Sequence, residues 1–128
     1  MIVIRETTNY AANLQRIEAY WDSCQHPAGN LKLLEELDDP VMANLERHPR
    51  IGRNFSQRQI ESIEAQTRLE KLDALLVTLG TDAERAEIRE YVMTDYLLLY
   101  ALVGDVIHLL AIKHQKQLSF DINLDPRF

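Results

Sequence analysis

The most constraining feature of this chain lies near its end, where two apolar runs are separated by a glycine and an aspartate. Tyr96 to Val103 reads YLLLYALV and Val106 to Lys113 reads VIHLLAIK, with Gly104-Asp105 between them. Gly-Asp suits a tight turn, and branched and aromatic residues suit extended backbone, so the pair predicts an antiparallel hairpin. A half-buried strand alternates polar and apolar residues. The unbroken run Leu97-Leu98-Leu99-Tyr100-Ala101-Leu102 therefore predicts a central strand covered on both faces. Ile88–Thr94, which alternates loosely, precedes it as a third strand.

Upstream, the periodicity turns helical. Residues 1–5 carry Ile2, Val3 and Ile4 and read as a short first strand. Thr7 or Thr8 offers an N-cap, after which Tyr10, Leu14, Ile17, Trp21 and Cys24 form one stripe of an amphipathic helix. On that stripe Cys24 is expected to be packed. His26-Pro27-Ala28-Gly29 breaks the helix. A second helical segment uses Leu31, Leu34, Leu37, Val41 and Leu45, with a kink or restart at Asp39-Pro40, and ends at His48-Pro49. Arg50-Ile51-Gly52-Arg53 reads as loop. Gln57 to Leu79 is a further amphipathic stretch through Ile60, Ile63, Thr67, Leu69, Leu72 and Leu76, stopped by Gly80. Thr81-Asp82-Ala83-Glu84 resembles a capping box and predicts a short helical turn. The expected order is β-α-α-(α)-β-β-β in a single domain, 1–128.

Apolar residues make up 46% of the chain, enough for a core without disulfides or a metal. Cys24 has no internal partner, which fits a reducing compartment. The longest apolar run is less than half of the roughly 20 residues that span a membrane, and acidic Glu6 follows the short apolar start, so a cytosolic protein is expected. The net charge of −6 argues against nonspecific grip on nucleic acid and favours protein partners.

Three pieces, in order, carry a family resemblance. His48-Pro49-Arg50-Ile51-Gly52-Arg53 is similar to a "-P-x-x-G-R-" exit from a helical hairpin. Arg89-Glu90-Tyr91-Val92, followed by Tyr96 and Tyr100, is similar to an "R-E-Y-V … Y-x-x-x-Y" strand pair. Val106 to Asp121, VIHLLAIKHQKQLSFD, is similar to a closing strand with a histidine at its end and a basic residue soon after. Together they resemble the RelE/ParE toxin superfamily of type II toxin–antitoxin systems, nearer the ParE-like, plasmid-stabilisation branch. The resemblance implies an α+β fold with a short N-terminal strand, helical hairpin, extra helix and antiparallel β-meander. It also implies a bacterial cytoplasmic toxin neutralised by a cognate antitoxin that wraps it with a helix or extended segment. Many relatives place an arginine three residues before the closing histidine; here Ala111 stands there. The stretch from Ser56 to Gly80 is longer than the minimal pattern.

RNA cleavage on such a fold needs an acid, a base and cations for the phosphate. The available groups are Arg53, Arg89, Tyr91, Tyr100, Lys113, His114 and Lys116. Each has a bland reading beside the functional one. His114 can serve as acid or base, or cap a strand end. Arg89, on the side of Tyr91 and Met93, can hold a phosphate or an acidic group of the target, or pair with a nearby carboxylate. Arg53 sits in an exposed loop. Lys113, Lys116 and Arg127 can bind a target or nucleic acid, or simply be solvated beside Asp121 and Asp125. His108 is expected to share a strand face with Leu110, Ile112 and His114. No spacing suggests a metal site or a cofactor. Leu14, Ile17, Trp21, Leu34 and Leu37 are the candidates for the antitoxin surface.

Two functions follow from the resemblance. A ParE-like toxin would bind a protein target such as DNA gyrase; net acidity and Ala111 favour it. A RelE-like toxin would cleave mRNA on the ribosome through His114 with Arg89 or Arg53 and a tyrosine. A third reading is a non-toxic subunit that binds antitoxin and meets DNA only through that complex.

Overall fold

The computed structural model describes residues 1–55, 63–81, 85–117, 120 and 122, with the side chains of 63–69 outside that description. In chain order the elements are β1 (Val3–Glu6), α1 (Thr8–Ser23), α2 (Ala28–Glu36), α3 (Met42–Arg47), β2 (Arg53–Asn54), α4 (Ile63–Thr78), β3 (Glu87–Val92), β4 (Tyr96–Val103) and β5 (Val106–His114). The architecture is α+β. The sheet runs β1-β5-β4-β3-β2, with β1 parallel to β5 and every other pair antiparallel. The hairpin predicted from Gly104-Asp105 is present, with Gly104 at φ 59, a conformation that glycine adopts without strain. β2 is a correction: Arg53, expected in a loop, pairs with Glu90 at the sheet edge, and Asn54 beside it pairs with Arg89. Two residues are too few for any periodicity to reveal.

β4 is buried along seven of its eight residues, because helices cover both faces. On one side Tyr10, Leu33, Leu37, Val41 and Leu45 pack against Tyr96, Leu98, Tyr100, Leu102, Ile107, Leu109 and Ile112. On the other, Leu72, Leu75 and Leu76 of α4 pack against Leu99, Ala101, Leu110 and Ala111. Gly80, at φ 77, closes α4 as expected. Of the expected stripe before it, Ile60 lies outside the described residues, as do the side chains of Ile63, Thr67 and Leu69. The same holds for most of the expected turn at 81–84.

The stripe of α2 is rotated from the expected one. Leu31 and Leu34 are 57% and 42% exposed, while Leu33 is buried in line with Leu37, Val41 and Leu45. Gly29 explains the choice. It begins the same four-residue spacing, and a Cβ there would run into the Trp21 indole, so this face of α2 approaches α1. The kink expected at Pro40 is present, with Asp39 extended at φ −153 and ψ 121. Cys24 is exposed, against expectation. The last helical residue of α1 is Ser23, Cys24 is its C-cap, and Gln25 at φ 56 turns the chain away directly after it.

A bulge in β5 sets the position of α1. Leu99 faces Ala111 and Tyr100 faces Leu109, which leaves Leu110 as the extra residue. Leu110 and Ala111 both belong to the α4 side, and Ile112 returns to the other. His108, opposite Ala101, therefore does not share a face with Ile112 and His114 as simple alternation required. The bulge, together with the end of β1 opposite Leu109, leaves backbone groups of β5 that a buried strand must satisfy. The Thr7 hydroxyl donates to Leu109 O (2.7 Å), the Asn9 amide donates to Leu110 O (2.9 Å), and Asn13 Oδ1 accepts from Ile112 N–H (3.0 Å). Thr7 also caps α1 by accepting from Tyr10 N–H (3.2 Å).

Substituting Asn13→Ala leaves the buried Ile112 N–H without this acceptor and is expected to cost about 1–3 kcal/mol, read as a lower urea midpoint. Gln15→Ala, on the exposed face of α1, is expected to leave the midpoint unchanged. A second prediction concerns pH. Burial, then Arg5, hold the His108 imidazole below its usual 6.5. The unfolded chain takes up that proton more readily, so stability falls as pH drops through the unfolded value. His108→Gln is expected to flatten stability against pH between about pH 7 and 5.

Candidate functional site

The arginines and tyrosines singled out in the sequence gather at the β2–β3 edge, on both faces of the sheet, and each is engaged by the chain itself. Tyr100 is buried; its hydroxyl donates to Pro49 O (2.8 Å) and accepts from Gly52 N–H (3.0 Å). Burial pushes this hydroxyl up, against the opposing pull of the Gly52 amide, so it stays protonated at neutral pH. Arg89 Nη1 donates to Gly52 O (2.6 Å) and Arg50 O (3.2 Å). Arg53 binds the carboxylate of Glu90, whose side chain is 0% exposed, through Nε (2.6 Å) and Nη2. The Tyr91 hydroxyl accepts from Asn44 Nδ2 (2.9 Å). Arg50 grips Glu87 through Nε and Nη2, which holds that carboxyl below the usual range. These bonds fasten the chain between α3 and β2 onto the sheet.

His114 stands elsewhere. It is opposite Tyr96 at the end of β4, while Arg89 is opposite Tyr100. Four strand residues separate those positions, ~13 Å. The structure thus gathers Arg89, Tyr91 and Tyr100 on one face of the sheet, with Arg53 beside Glu90 on the other, and sets His114 apart from Arg89 and Tyr100.

The surroundings of His114 form a pocket of about 460 Å³ between the C-terminal half of α1 and the ends of β4 and β5. Ile17 and Ile112 supply apolar wall, Tyr20, Trp21 and Tyr96 supply aromatic wall, and Arg16 and Lys116 supply positive charge beside Asn13 and Gln117. Trp21 Nε1 donates to the Tyr96 hydroxyl (3.1 Å), and the Tyr96 and His114 rings meet edge to face at 5.2 Å. His114 Nδ1 accepts from Lys116 N–H (3.1 Å), so the neutral ring carries its proton on Nε2. The turn bearing Lys116 is fixed to the β3–β4 connection: Gln115 N–H donates to Asp95 O (2.9 Å) and its side-chain amide to Met93 O (2.8 Å). A smaller pocket of about 280 Å³ shares Trp21, Tyr96 and His114 and adds His26, Lys32, Glu36 and Asp95.

Among the other sequence candidates, Lys116 lines the larger pocket and Lys113 does not. Lys113 is buried, donates to Gln117 O (2.7 Å), and lies over the Phe120 ring, so it is not placed to meet a target. Arg127, Asp121 and Asp125 fall outside the described residues. Ile17 and Trp21 line the pocket; Leu14 packs partly against the core; Leu34 is on the surface; Leu37 is in the core and unavailable to a partner. Arg16, Tyr20 and Tyr96 were missed. Arg16 and Tyr20 flank the apolar stripe of α1 at an i, i+4 spacing beside Ile17 and Trp21, which was the one signal that could have marked them. Among the described residues, no group of three histidine, cysteine or acidic side chains could hold a metal, and no helix is long and apolar enough to cross a membrane. Compared with models of known protein families and with curated proteins, the chain matches none.

Tyr100→Phe removes both hydroxyl bonds to the 49–52 segment. The expected result is a loss of about 1–3 kcal/mol, together with faster hydrogen exchange at Gly52 N–H, while exchange in α1 is unchanged.

Proposed function

We propose that the chain is the toxin of a type II toxin–antitoxin module of the RelE/ParE kind, nearer ParE. On this reading it works in the cytoplasm by binding a protein target such as DNA gyrase, and a cognate antitoxin neutralises it. The observation that supports this most is the separation of His114 from Arg53, Arg89 and Tyr100. A nuclease needs its acid, base and phosphate cations around one scissile bond. Here the arginines and tyrosines hold the chain's own backbone, its carboxylates and the Asn44 amide. The net charge of −6 points the same way.

The RelE-like reading draws its support from one feature, the presence of Arg16 and Lys116 beside His114. Two experiments separate the readings. The purified protein is expected to inhibit gyrase supercoiling, and its antitoxin to relieve the inhibition; unchanged supercoiling at several-fold molar excess removes the gyrase target. Growth arrest is expected to survive His114→Ala. Its loss, with mRNA cleavage in a translation extract that needs His114, would establish the nuclease instead. Absence of both activities would leave the non-toxic, antitoxin-binding subunit.

A further inference from the structure

We propose that the outer edge of β1 is where two copies of this chain pair, antiparallel about a two-fold axis at Val3, joining their five-stranded sheets into one. Val3 N–H donates to Asp105 O (2.9 Å) and Thr7 N–H to Leu109 O (3.2 Å), so the odd-numbered residues of β1 turn their backbone groups to β5. Extended backbone alternates, which points the N–H and C=O of Ile2 and Ile4 the other way, out of the sheet edge. Among the described residues β1 pairs with β5 alone, and no hydrogen bond takes up those outer groups. Natural edges are blunted by proline, a bulge or a charge within the strand. Ile2-Val3-Ile4 has no proline and no charge. Val3 is 44% exposed, and Ile2 and Ile4 are only partly buried against the core, so the edge offers apolar surface beside open backbone.

An open edge accepts an extended strand, and the order of charges along β1 favours a second copy in one register. Outward-facing residues must meet outward-facing residues, which leaves a two-fold axis at residue 3, 4 or 5. An axis at Arg5 sets two guanidinium groups directly opposite each other, and like charges there repel. An axis at Ile4 lays Glu6 of each copy against Ile2 of the other. An axis at Val3 pairs Ile2 with Ile4 and Val3 with Val3, all apolar, and keeps Arg5 and Glu6 beyond that segment. In that register Ile2 N–H donates to Ile4 O and Ile4 N–H to Ile2 O, in both directions across the axis. The two Val3 residues form a close pair with Cα atoms about 4.5 Å apart. α1 does not obstruct it, because Thr7, Asn9 and Asn13 carry that helix along β5 from Leu109 to Ile112, away from residues 2–4.

The intact chain would be followed by sedimentation velocity. It is expected to pass from monomer to dimer between about 1 and 200 µM, the range of a small interface. Val3→Lys places two ammonium groups opposite each other and is expected to weaken the dimer about tenfold, with circular dichroism unchanged. Cysteine pairing reads the register. The sole native cysteine, Cys24, is exposed, so Cys24→Ser is the background. There Val3→Cys is expected to form a covalent dimer on mild oxidation, since a close antiparallel pair matches disulfide geometry. Arg5→Cys is expected to form none, its two copies standing about 13 Å apart. If Val3→Lys disturbs folding, the two cysteine variants decide alone. A chain that stays monomeric throughout this range would overturn the proposal and leave the edge to a strand of another protein. A dimer indifferent to Val3→Lys, or one that crosslinks through Arg5→Cys in preference, would overturn it too. None of these outcomes depends on gyrase inhibition or growth arrest.

Discussion

Everything on the α1 side of this molecule depends on how the bulge in β5 is satisfied. An extra residue in a buried strand, and a β1 that ends opposite Leu109, leave groups of β5 to be satisfied from outside the ladder, and water cannot reach them. Thr7, Asn9 and Asn13 bind Leu109 O, Leu110 O and Ile112 N–H. Those bonds fix both the rotation and the height of α1. From there Trp21 reaches the Tyr96 hydroxyl, and Gly29 lets α2 pack against the indole. The pocket at His114 is thus a product of backbone bookkeeping inside the sheet: Arg16, Ile17, Tyr20 and Trp21 are where they are because Asn9 and Asn13 are.

The bulge also separates the two groups of polar residues. It returns Ile112 and His114 to the α1 face, beside Tyr96, while Lys113 turns to the opposite side and folds over Phe120. The β2–β3 edge holds the other group, where Arg53, Arg89 and Tyr100 secure a loop. One set of residues builds a wall and the other maintains an edge.

Much of the scaffold was legible in the sequence because it follows from local rules. Gly104-Asp105 marks the hairpin, Gly80 the end of α4, Thr7 the start of α1, and Pro40 the break after α2. The unbroken apolar run of β4 correctly announced cover on both faces. What was not legible is non-local. Leu109-Leu110-Ala111-Ile112 is apolar throughout, so either face is acceptable to each residue and the bulge leaves no trace. Leucines at 31, 33, 34 and 37 allow more than one stripe, and only the approach of Gly29 to Trp21 selects among them. The pocket joins residues 13–21 to residue 96 and to residues 112–117, a grouping visible only once α1 lies on β5.

That last pairing bears on when the molecule comes into being. Val3 pairs with Val106, and the bonds from Thr7, Asn9 and Asn13 reach across separations of 102, 101 and 99 residues. During synthesis β1 and α1 emerge well before β5 and have nothing to dock on until it leaves the ribosome. Long-range closure of this kind is slow compared with local helix formation. The pocket, whose two walls come from opposite ends of the described chain, is therefore among the last features to form, and a nascent chain that stops short of β5 carries none of it.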